Sequence, residues 1–295
     1  MIEKRFVQWY AADAGVDLDI AEREVALTYV LRALADVGLL NHLAFKGGTA
    51  IRKLYLTGHG RFSLDLDFTA VGPLNPEALV LDLVGCLHEQ THYGITFTIP
   101  DPDYYANPES CGAEVTYRHE WVTAGRFGIQ VSFRSAPLLP VKAMPLRRER
   151  YFDWLGVDPP EVPALDLLEV VGEKIRAAAQ RSRVRDVYDL YQLARQRFDR
   201  DVVRRIAVLK CWETRWAFDP AAFLSDLREA KYDWTDLRRL VRRGSTVAPE
   251  EVILGAQQGY AFLRELDTSE RLLSRDAYGR EQQTYHRLVS QLKGE

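Results

Sequence analysis

The chain has 295 residues, of which 47% are hydrophobic and 27% charged, as is typical of a globular protein. It has no apolar run near the roughly 20 residues of a membrane-spanning helix and no apolar signal core at its start, which predicts a cytoplasmic protein with no membrane partner. The net charge of −3 argues against a general nucleic-acid binder, but the charge is uneven: residues 1–160 carry −5 and residues 161–295 carry +2.

Residues 1–44 are predicted to be helical, because apolar residues recur there at helical intervals. Gly47 and Gly48 break this pattern, and Thr49 is a candidate N-cap for a helix that starts near Ala50. Two glycines let a backbone bend closely around a ligand, and a helix N-terminus offers N–H groups to phosphate. A Gly-Gly turn before a helix is more often only a turn, so this motif alone is a weak signal.

The segment GRFSLDLDFTA, residues 60–70, alternates apolar and polar residues, which predicts a strand with one buried face. Its predicted buried face holds Phe62, Leu64, Leu66 and Phe68, and its polar face holds Ser63, Asp65 and Asp67. Two carboxylates on one face repel each other, and Mg²⁺, which takes one or two carboxylates plus substrate phosphates, would offset that repulsion. The alternative is a solvated surface strand, which fits poorly with four large apolar residues on the other face.

The rest of the chain divides into a mixed part and a helical part. Asn75 and Pro76 are predicted to cap and start a helix, and strands are predicted within residues 94–100, 113–122 and 126–134. Residues 137–145 are predicted to be a loop, and nearly everything from Leu165 onward reads as helix. The sequence therefore predicts an α+β domain over residues 1–160 and a helical domain over residues 161–295.

A third motif lies in the stretch EKIRAAAQRSRVRDVYDLYQL. Lys174 lies next to the apolar stripe of its predicted helix, with Arg181 about two turns further along the same side. Asp186 and Asp189 are three residues apart on the next helix and so share a face. Ion pairing on a helix surface explains these charges about as well as a functional site does.

Basic side chains are clustered in the second half of the chain, and the candidates for contacting RNA are Arg181, Arg238, Arg239, Arg242 and Arg243. Each cluster taken alone is more often a solvated helix face than a phosphate-binding surface. Local basic clusters on an acidic chain suit a limited RNA footprint.

The order of these motifs resembles the AbiEii/AbiGii toxin family, which includes the MenT-type toxins. The shared order is Gly-Gly-Thr, Ser-x-Asp-x-Asp on a strand, Lys on a helix, and Asp-x-x-Asp. The resemblance covers roughly residues 20–195 and implies a nucleotidyltransferase fold, distantly similar to DNA polymerase β, with a helical C-terminal domain.

The resemblance also implies roles for individual residues. It implies nucleotide binding by Lys46, Gly47, Gly48, Thr49, Arg52 and Ser63, catalysis by Asp65, Asp67, Lys174 and Asp189, and Mg²⁺ binding by Asp65 and Asp67. Lys174 is expected near the triphosphate, and Asp189 either orients Lys174 or acts as the base. Ser63 matches a position that is phosphorylated in some members when the antitoxin silences the toxin. Many polymerase-β-like enzymes have a third metal carboxylate, and here the candidate strand offers Gln130 and Ser132 instead.

The expected function is that of a phage-defence toxin of a toxin–antitoxin system, silenced by a cognate antitoxin protein. It would transfer a nucleoside monophosphate from an NTP, with CTP or another pyrimidine nucleotide favoured by the family, to the tRNA acceptor end, releasing pyrophosphate and blocking translation. Three alternatives remain open at this stage: transfer to a protein side chain, a non-catalytic nucleotide-binding module, and a metal-dependent nuclease. The Gly-Gly-Thr turn favours a triphosphate substrate over the nuclease.

Overall fold

A computed structural model describes residues 2–56, 60–156, 158–245 and 247–294. The chain divides into two compact units. Unit 1 comprises Met1–Ala136, Val141–Leu165 and Arg239–Gly244, and unit 2 comprises Pro137–Pro140, Asp166–Arg238 and Ser245–Glu295. Unit 1 thus includes a short segment from the C-terminal half of the chain, and unit 2 includes one from the N-terminal half. The prediction of two domains divided at residue 160 has no such exchange of segments.

Unit 1 is a mixed α+β structure, as predicted. Its helices are α1 Lys4–Ala14, α2 Leu18–Asp36, α3 Gly47–Ala50, α4 Pro76–Leu87 and α5 Phe152–Leu155, with a 3₁₀ turn at Leu39–His42 and a π-helical turn at Ile51–Tyr55. Its strands are β1 Leu43–Lys46, β2 Leu66–Ala70, β3 Thr91–His92, β4 Ile95–Thr98, β5 Tyr104–Asn107, β6 Ser110–His119, β7 Val122–Ser132, β8 Lys142–Pro145 and β9 Glu161–Ala164.

The strands of unit 1 form one sheet in the order β3-β4-β6-β7-β2-β1-β9-β8, with β5 also paired to β6. The β2–β7 and β1–β9 pairs are parallel, and the other pairs are antiparallel. Leu66, Phe68, Ile129 and Val131 are buried on one face, where they belong to an apolar cluster that includes residues of α2 and α4. The alternate positions of these strands therefore make up the opposite, polar face.

Several predicted elements are confirmed, and others were placed wrongly. Asn75 caps α4 by accepting from the backbone N–H groups of Glu77 and Ala78, as predicted. The predicted strands around residues 95–98, 113–119 and 126–132 are also present. By contrast, β1 begins within residues 1–44, which were predicted to be helical, and β8 lies in a predicted loop. Residues 60–65, predicted to belong to a strand, are not part of one.

Unit 2 is helical, as predicted, and contains α6 Leu167–Gln180, α7 Val184–Leu193, α8 Arg200–Glu213, α9 Pro220–Glu229, α10 Thr235–Arg238, α11 Pro249–Gly259, a 3₁₀ turn at Ala261–Arg264, α12 Thr268–Arg275 and α13 Gln282–Lys293. The segment Pro137–Pro140 belongs to this unit because the buried Glu169 carboxylate accepts from the backbone N–H groups of Leu138 and Leu139 at 2.9–3.0 Å. Among the described residues, no helix combines the length and apolarity needed to cross a membrane.

Candidate active site

The Gly-Gly-Thr motif directly follows β1 in unit 1 and forms the single helical turn α3, called the Gly-Gly-Thr turn below. Helix α3 begins at Gly47 with Lys46 as its N-cap, so the prediction that Thr49 caps a helix from Ala50 was wrong. Thr49 instead points inward and is fully buried, and its hydroxyl donates to the backbone carbonyl of Asp65 at 2.5 Å. The threonine of this motif therefore fixes the backbone of the first candidate metal ligand.

The two glycines lie against the segment that carries the carboxylates. Gly47 has a left-handed φ of +78°, and a Cβ there would overlap the Asp67 carboxylate and lie 2.8 Å from the Asp67 Cβ. A Cβ on Gly48 would approach Arg61 and the Ser63 hydroxyl. The structure therefore brings together residues from two motifs separated in the sequence, namely Gly47, Gly48, Thr49, Ser63, Asp65 and Asp67.

The aspartate pair lies at the beginning of β2. Asp67 is the second residue of this strand, whereas Asp65 is exposed and immediately precedes it. The Asp65 carboxylate accepts from the Gly128 N–H at 3.1 Å. Lys46 is directly opposite Asp67 in the antiparallel β1–β2 pair, so a cation neighbours the second carboxylate.

The strand starts later than predicted because backbone groups of Gly60 and Phe62 find partners outside the sheet. The Gly60 carbonyl accepts from the Arg52 guanidinium at 2.9 Å, and the Phe62 N–H donates to the Leu240 carbonyl at 2.7 Å. These backbone groups therefore have hydrogen-bond partners without pairing to another strand.

The metal-ligand candidates in unit 1, Asp65 and Asp67, fit Mg²⁺. Two carboxylates near the turn match an ion that completes its coordination with water and phosphate oxygens. Within the described ranges no group of three or more His, Cys, Asp or Glu side chains is arranged to hold a metal ion. Gln130 lies opposite Asp67 in the parallel β2–β7 pair, so an amide stands next to the second aspartate, at the position where the sequence offered no third carboxylate.

Glu114 is an acidic neighbour that sequence reasoning missed. It pairs with Gly128 across β6–β7, and its carboxylate and that of Asp65 both lie within about 3.4 Å of the point where a Gly128 Cβ would be. The signal in the sequence was Gly128, because the absence of a side chain on β7 lets the Glu114 carboxylate of β6 and the Asp65 carboxylate just before β2 approach it.

Arg52 lies inside unit 1, behind the turn. Its guanidinium contacts the Tyr10 hydroxyl, packs 3.5 Å from the Phe62 ring centroid, and lies 3.5 Å from the Glu24 carboxylate. Burial is the largest effect and by itself would lower the pKa of Arg52, but Glu24, Tyr10 and Glu149 together outweigh it and raise this pKa, so Arg52 stays a cation. With these partners Arg52 supports the turn from within, and its predicted role in nucleotide binding stays a prediction.

Ser63 is also buried, with only 8% of its surface exposed, and its hydroxyl faces Gly48. Arg61 packs beside it and donates to the Phe62 carbonyl at 3.1 Å. A phosphate group on Ser63 would therefore lie against the Gly-Gly-Thr turn as well as close in sequence to Asp65.

The predicted Lys174 motif forms a buried ion cluster in unit 2. The Lys174 ammonium is 2.8 Å from the Asp189 carboxylate and 3.1 Å from that of Asp186, as expected if both acids share a helix face. Arg181 follows the end of α6 and pairs with Asp186 at 2.8 Å. Burial alone would raise the pKa of Asp186, but Lys174 and Arg181 outweigh it and lower this pKa to about 2.

The other basic candidates lie on exposed positions at the end of α10 and in the turn after it. Arg238 is the last residue of α10, and Arg239, Arg242 and Arg243 follow it in the segment that belongs to unit 1. Arg239 pairs with Asp19 at 2.9 Å and Arg243 pairs with Asp17, both near the start of α2. These exposed ion pairs are weak, so the guanidinium groups stay accessible to other anions.

Comparisons with known proteins identify the family and the fold of the chain. A sequence model of the family described as nucleotidyl transferase AbiEii toxin, type IV TA system, matches residues 29–277. MenT4, a nucleotidyltransferase toxin from Mycobacterium tuberculosis H37Rv, is 24% identical and superposes with a TM-score of 0.83 over 99% of each chain. No match was found among the curated proteins. The structural match confirms the expected α+β nucleotidyltransferase fold, and the family match covers most of the chain. The chain thus belongs to the AbiEii nucleotidyltransferase toxin family of type IV toxin–antitoxin systems.

Proposed function

We propose that this chain transfers a nucleoside monophosphate from a nucleoside triphosphate to the 3′ end of tRNA, and so blocks translation. Mg²⁺ is the proposed cofactor, a pyrimidine nucleotide the favoured substrate and pyrophosphate the leaving group. The observation that carries the proposal is the packing of the Gly-Gly-Thr turn on the aspartate pair, with Gly47 against Asp67 and Thr49 bonded to Asp65. A phosphate-binding turn beside paired carboxylates suits phosphoryl transfer, and family membership favours it over a nuclease.

In the proposed reaction the 3′-hydroxyl oxygen attacks the α-phosphorus and the bond to the β-phosphate breaks, so pyrophosphate leaves with the electron pair. Most of the rate enhancement then comes from positioning and charge neutralisation. Mg²⁺ held by Asp65 and Asp67 would supply charge neutralisation at the triphosphate. Thr49 fixes the backbone of Asp65, and the missing side chain of Gly47 leaves room for the Asp67 carboxylate.

Lys174 and Asp189 are kept in the proposal as residues required for transfer, as the family resemblance implies. Their 2.8 Å ion pair orients the lysine side chain. Asp189 either orients Lys174 in this way or accepts the hydroxyl proton.

The proposal includes silencing by a cognate antitoxin, for which modification of Ser63 is the suggested route. A phosphoserine carries nearly two negative charges, which at this position would oppose a triphosphate. Because Ser63 is buried, an enzyme that modifies it needs the segment to open first. Ser63→Glu is therefore expected to suppress transfer, and full activity in that variant would argue against this route.

The acceptor and the nucleotide are tested together. Labelled ATP, CTP, GTP and UTP are each incubated with total tRNA or with lysate protein, and labelled RNA is mapped at its 3′ end. We expect label at the tRNA 3′ end with at least one nucleotide. Label on protein alone would mean that the acceptor is a protein and not tRNA. Nucleotide binding without pyrophosphate release would mean that the chain is a non-catalytic nucleotide-binding module.

Asp67→Asn tests the site itself, because it removes one carboxylate charge with almost no change in size. We expect it to abolish transfer, whereas Asp82→Asn, an exposed aspartate on α4, should leave transfer unchanged. Wild-type activity in Asp67→Asn would refute the proposed site.

Salt dependence tests the RNA footprint. If Arg239, Arg242 and Arg243 each neutralise one phosphate, tRNA affinity should fall about fortyfold between about 50 and 200 mM salt. Arg181 and Arg238 would add to this slope if they also contact RNA. A tRNA affinity that does not change with salt concentration would exclude these arginines as phosphate contacts.

A further inference from the structure

A row of residues crosses the polar face of the unit 1 sheet and begins at the candidate site. The strand registers pair Lys46 with Asp67, Asp67 with Gln130, Gln130 with Gly112, and Gly112 with Tyr105. Residues paired in this way project to the same face of a sheet. The row therefore runs from the second metal-ligand candidate across four neighbouring strands to an aromatic ring.

The far end of this row has the form of a shallow platform. Gly112 contributes no side chain, and a Cβ there would overlap the Ile129 carbonyl oxygen, so the position requires glycine. The Tyr105 ring lies over this glycine, with its Cε1 atom 3.3 Å from where the Cβ would be. The Gln130 amide nitrogen donates to the Tyr105 hydroxyl at 3.2 Å, which ties the ring to the strand beside Asp67. Tyr105 is still 43% exposed, so part of the ring faces solvent.

We propose that Tyr105 and Gln130 form the surface that holds the nucleobase of the incoming nucleoside triphosphate. This inference rests on the proposed function, since it assigns the base of the same substrate whose phosphates lie at Asp65 and Asp67. The ring supplies a flat face for base stacking, and the carboxamide of Gln130 supplies hydrogen-bonding groups at the edge of that face.

The spacing along the sheet supports the assignment. Neighbouring strands are about 4.8 Å apart, so the Gln130 backbone is roughly 5 Å and the Tyr105 backbone roughly 14 Å from that of Asp67. The Tyr105 ring leans back over Gly112 toward Gln130, which fills the interval between them. A triphosphate held at Asp67 thus directs its nucleoside along the row onto the ring.

A different source for the base is the 3′-terminal nucleotide of the RNA acceptor. Stacking on an aromatic ring tolerates any base, so the ring alone does not separate the two sources. Measuring the binding of free nucleotides in the absence of RNA does separate them, because only the incoming triphosphate is then present.

The test measures equilibrium binding of each of the four nucleoside triphosphates, and of inorganic tripolyphosphate, in Mg²⁺-containing buffer. Tyr105→Ala is expected to weaken binding of the preferred nucleotide about tenfold or more, as loss of one stacked base does. Tyr105→Phe, which keeps the ring, should retain most of the affinity, and Gln130→Ala should change the ranking of the four bases. Tripolyphosphate has no base, so its affinity should be unchanged in all three variants.

Tyr278→Ala is the matched control, because it removes another exposed tyrosine ring, 78% exposed and located in unit 2. Its nucleotide affinity should equal that of the wild type. Thermal unfolding of each variant confirms that the fold is intact. If Tyr105→Ala is unstable, Gln130→Ala preserves the test, because an unchanged ranking of the four bases in that variant overturns the platform.

The outcomes separate this inference from the proposed function. Wild-type affinity for all four nucleotides in Tyr105→Ala, or equal weakening for nucleotides and tripolyphosphate, overturns the platform even if Asp67→Asn abolishes transfer. Nucleotide binding that depends on Tyr105, in a protein that transfers nothing to RNA or protein, supports the platform and refutes the transferase activity. A wild-type chain that binds no nucleotide refutes both.

Discussion

The contact between the Gly-Gly-Thr turn and the aspartate pair can be tested with one added methyl group. Gly47→Ala places a Cβ at a φ of +78°, a left-handed conformation that costs an L-residue roughly 1–2 kcal/mol. The same Cβ overlaps the Asp67 carboxylate, and forcing an atom into a packed site costs roughly 1–3 kcal/mol more. We therefore expect Gly47→Ala to lower the free energy of unfolding by about 2–5 kcal/mol.

Gly72→Ala is the control, because Gly72 has a similar φ of +86° and no atom within 4 Å of the added Cβ. It should carry the backbone strain alone, about 1–2 kcal/mol, and leave nucleotide transfer unchanged. Urea unfolding at constant m-value gives both stability changes, and nucleotide transfer is measured on the folded proteins. The difference between the two variants isolates the contact with Asp67.

Two results would refute this reasoning. Equal destabilisation by Gly47→Ala and Gly72→Ala would mean that the turn does not press on Asp67. Wild-type transfer in a folded Gly47→Ala protein would mean that displacing this carboxylate does not affect the chemistry, and the turn would then be structural only.

Two further predictions follow from the buried polar contacts. Thr49→Val keeps the side-chain shape but leaves the Asp65 carbonyl without its 2.5 Å hydrogen bond, so it should lower the free energy of unfolding in urea by roughly 1–3 kcal/mol. Thr49→Ser keeps the hydroxyl and should retain most of this free energy. An unchanged free energy of unfolding in Thr49→Val would contradict the role assigned to the hydroxyl. Lys174 and Arg181 hold the folded-state pKa of Asp186 at about 2, below its ordinary 3.8, so its stabilisation is present above about pH 4 and is lost as the pH falls toward 2. The difference in free energy of unfolding between wild type and Asp186→Asn should thus shrink by about 2 kcal/mol from about pH 6 to pH 2. A difference that does not change with pH would contradict the stabilisation of the Asp186 carboxylate by Lys174 and Arg181.

Local sequence signals predicted the elements whose formation depends on neighbouring residues. The Asn75 cap and the strict alternation of Phe127, Ile129 and Val131 are of this kind, and both are present as predicted. The strand at Leu43–Lys46 was missed because its partners, β2 and β9, come later in the chain. Four residues that pair only at long range have no periodicity of their own to detect.

The candidate site followed the same division. The motifs and their order along the chain were visible in the sequence, as was the helix face that Asp186 and Asp189 share. The contact of Lys174 with both carboxylates is seen only in the structure. The direction of Arg52 was not visible, because a long side chain can turn inward to a buried Glu24 that lies 28 positions earlier in the chain. The roles of Thr49, Glu114 and Tyr105 depend on strand register, which the sequence did not provide.

Two like charges near each other at the start of a strand would repel, and unit 1 offsets this repulsion with its own groups. Lys46 lies opposite Asp67, and the Gly128 N–H donates to the Asp65 carboxylate at 3.1 Å. The Thr49 hydroxyl fixes the Asp65 backbone as well. Because the Gly128 and Thr49 bonds come from within the unit, the Asp65 carboxylate and backbone are positioned before any cation binds. Gly47 leaves room for the Asp67 carboxylate beside them. A ligand at this position therefore loses little free energy in ordering the site, which is the physical advantage of placing the turn and the aspartate strand side by side.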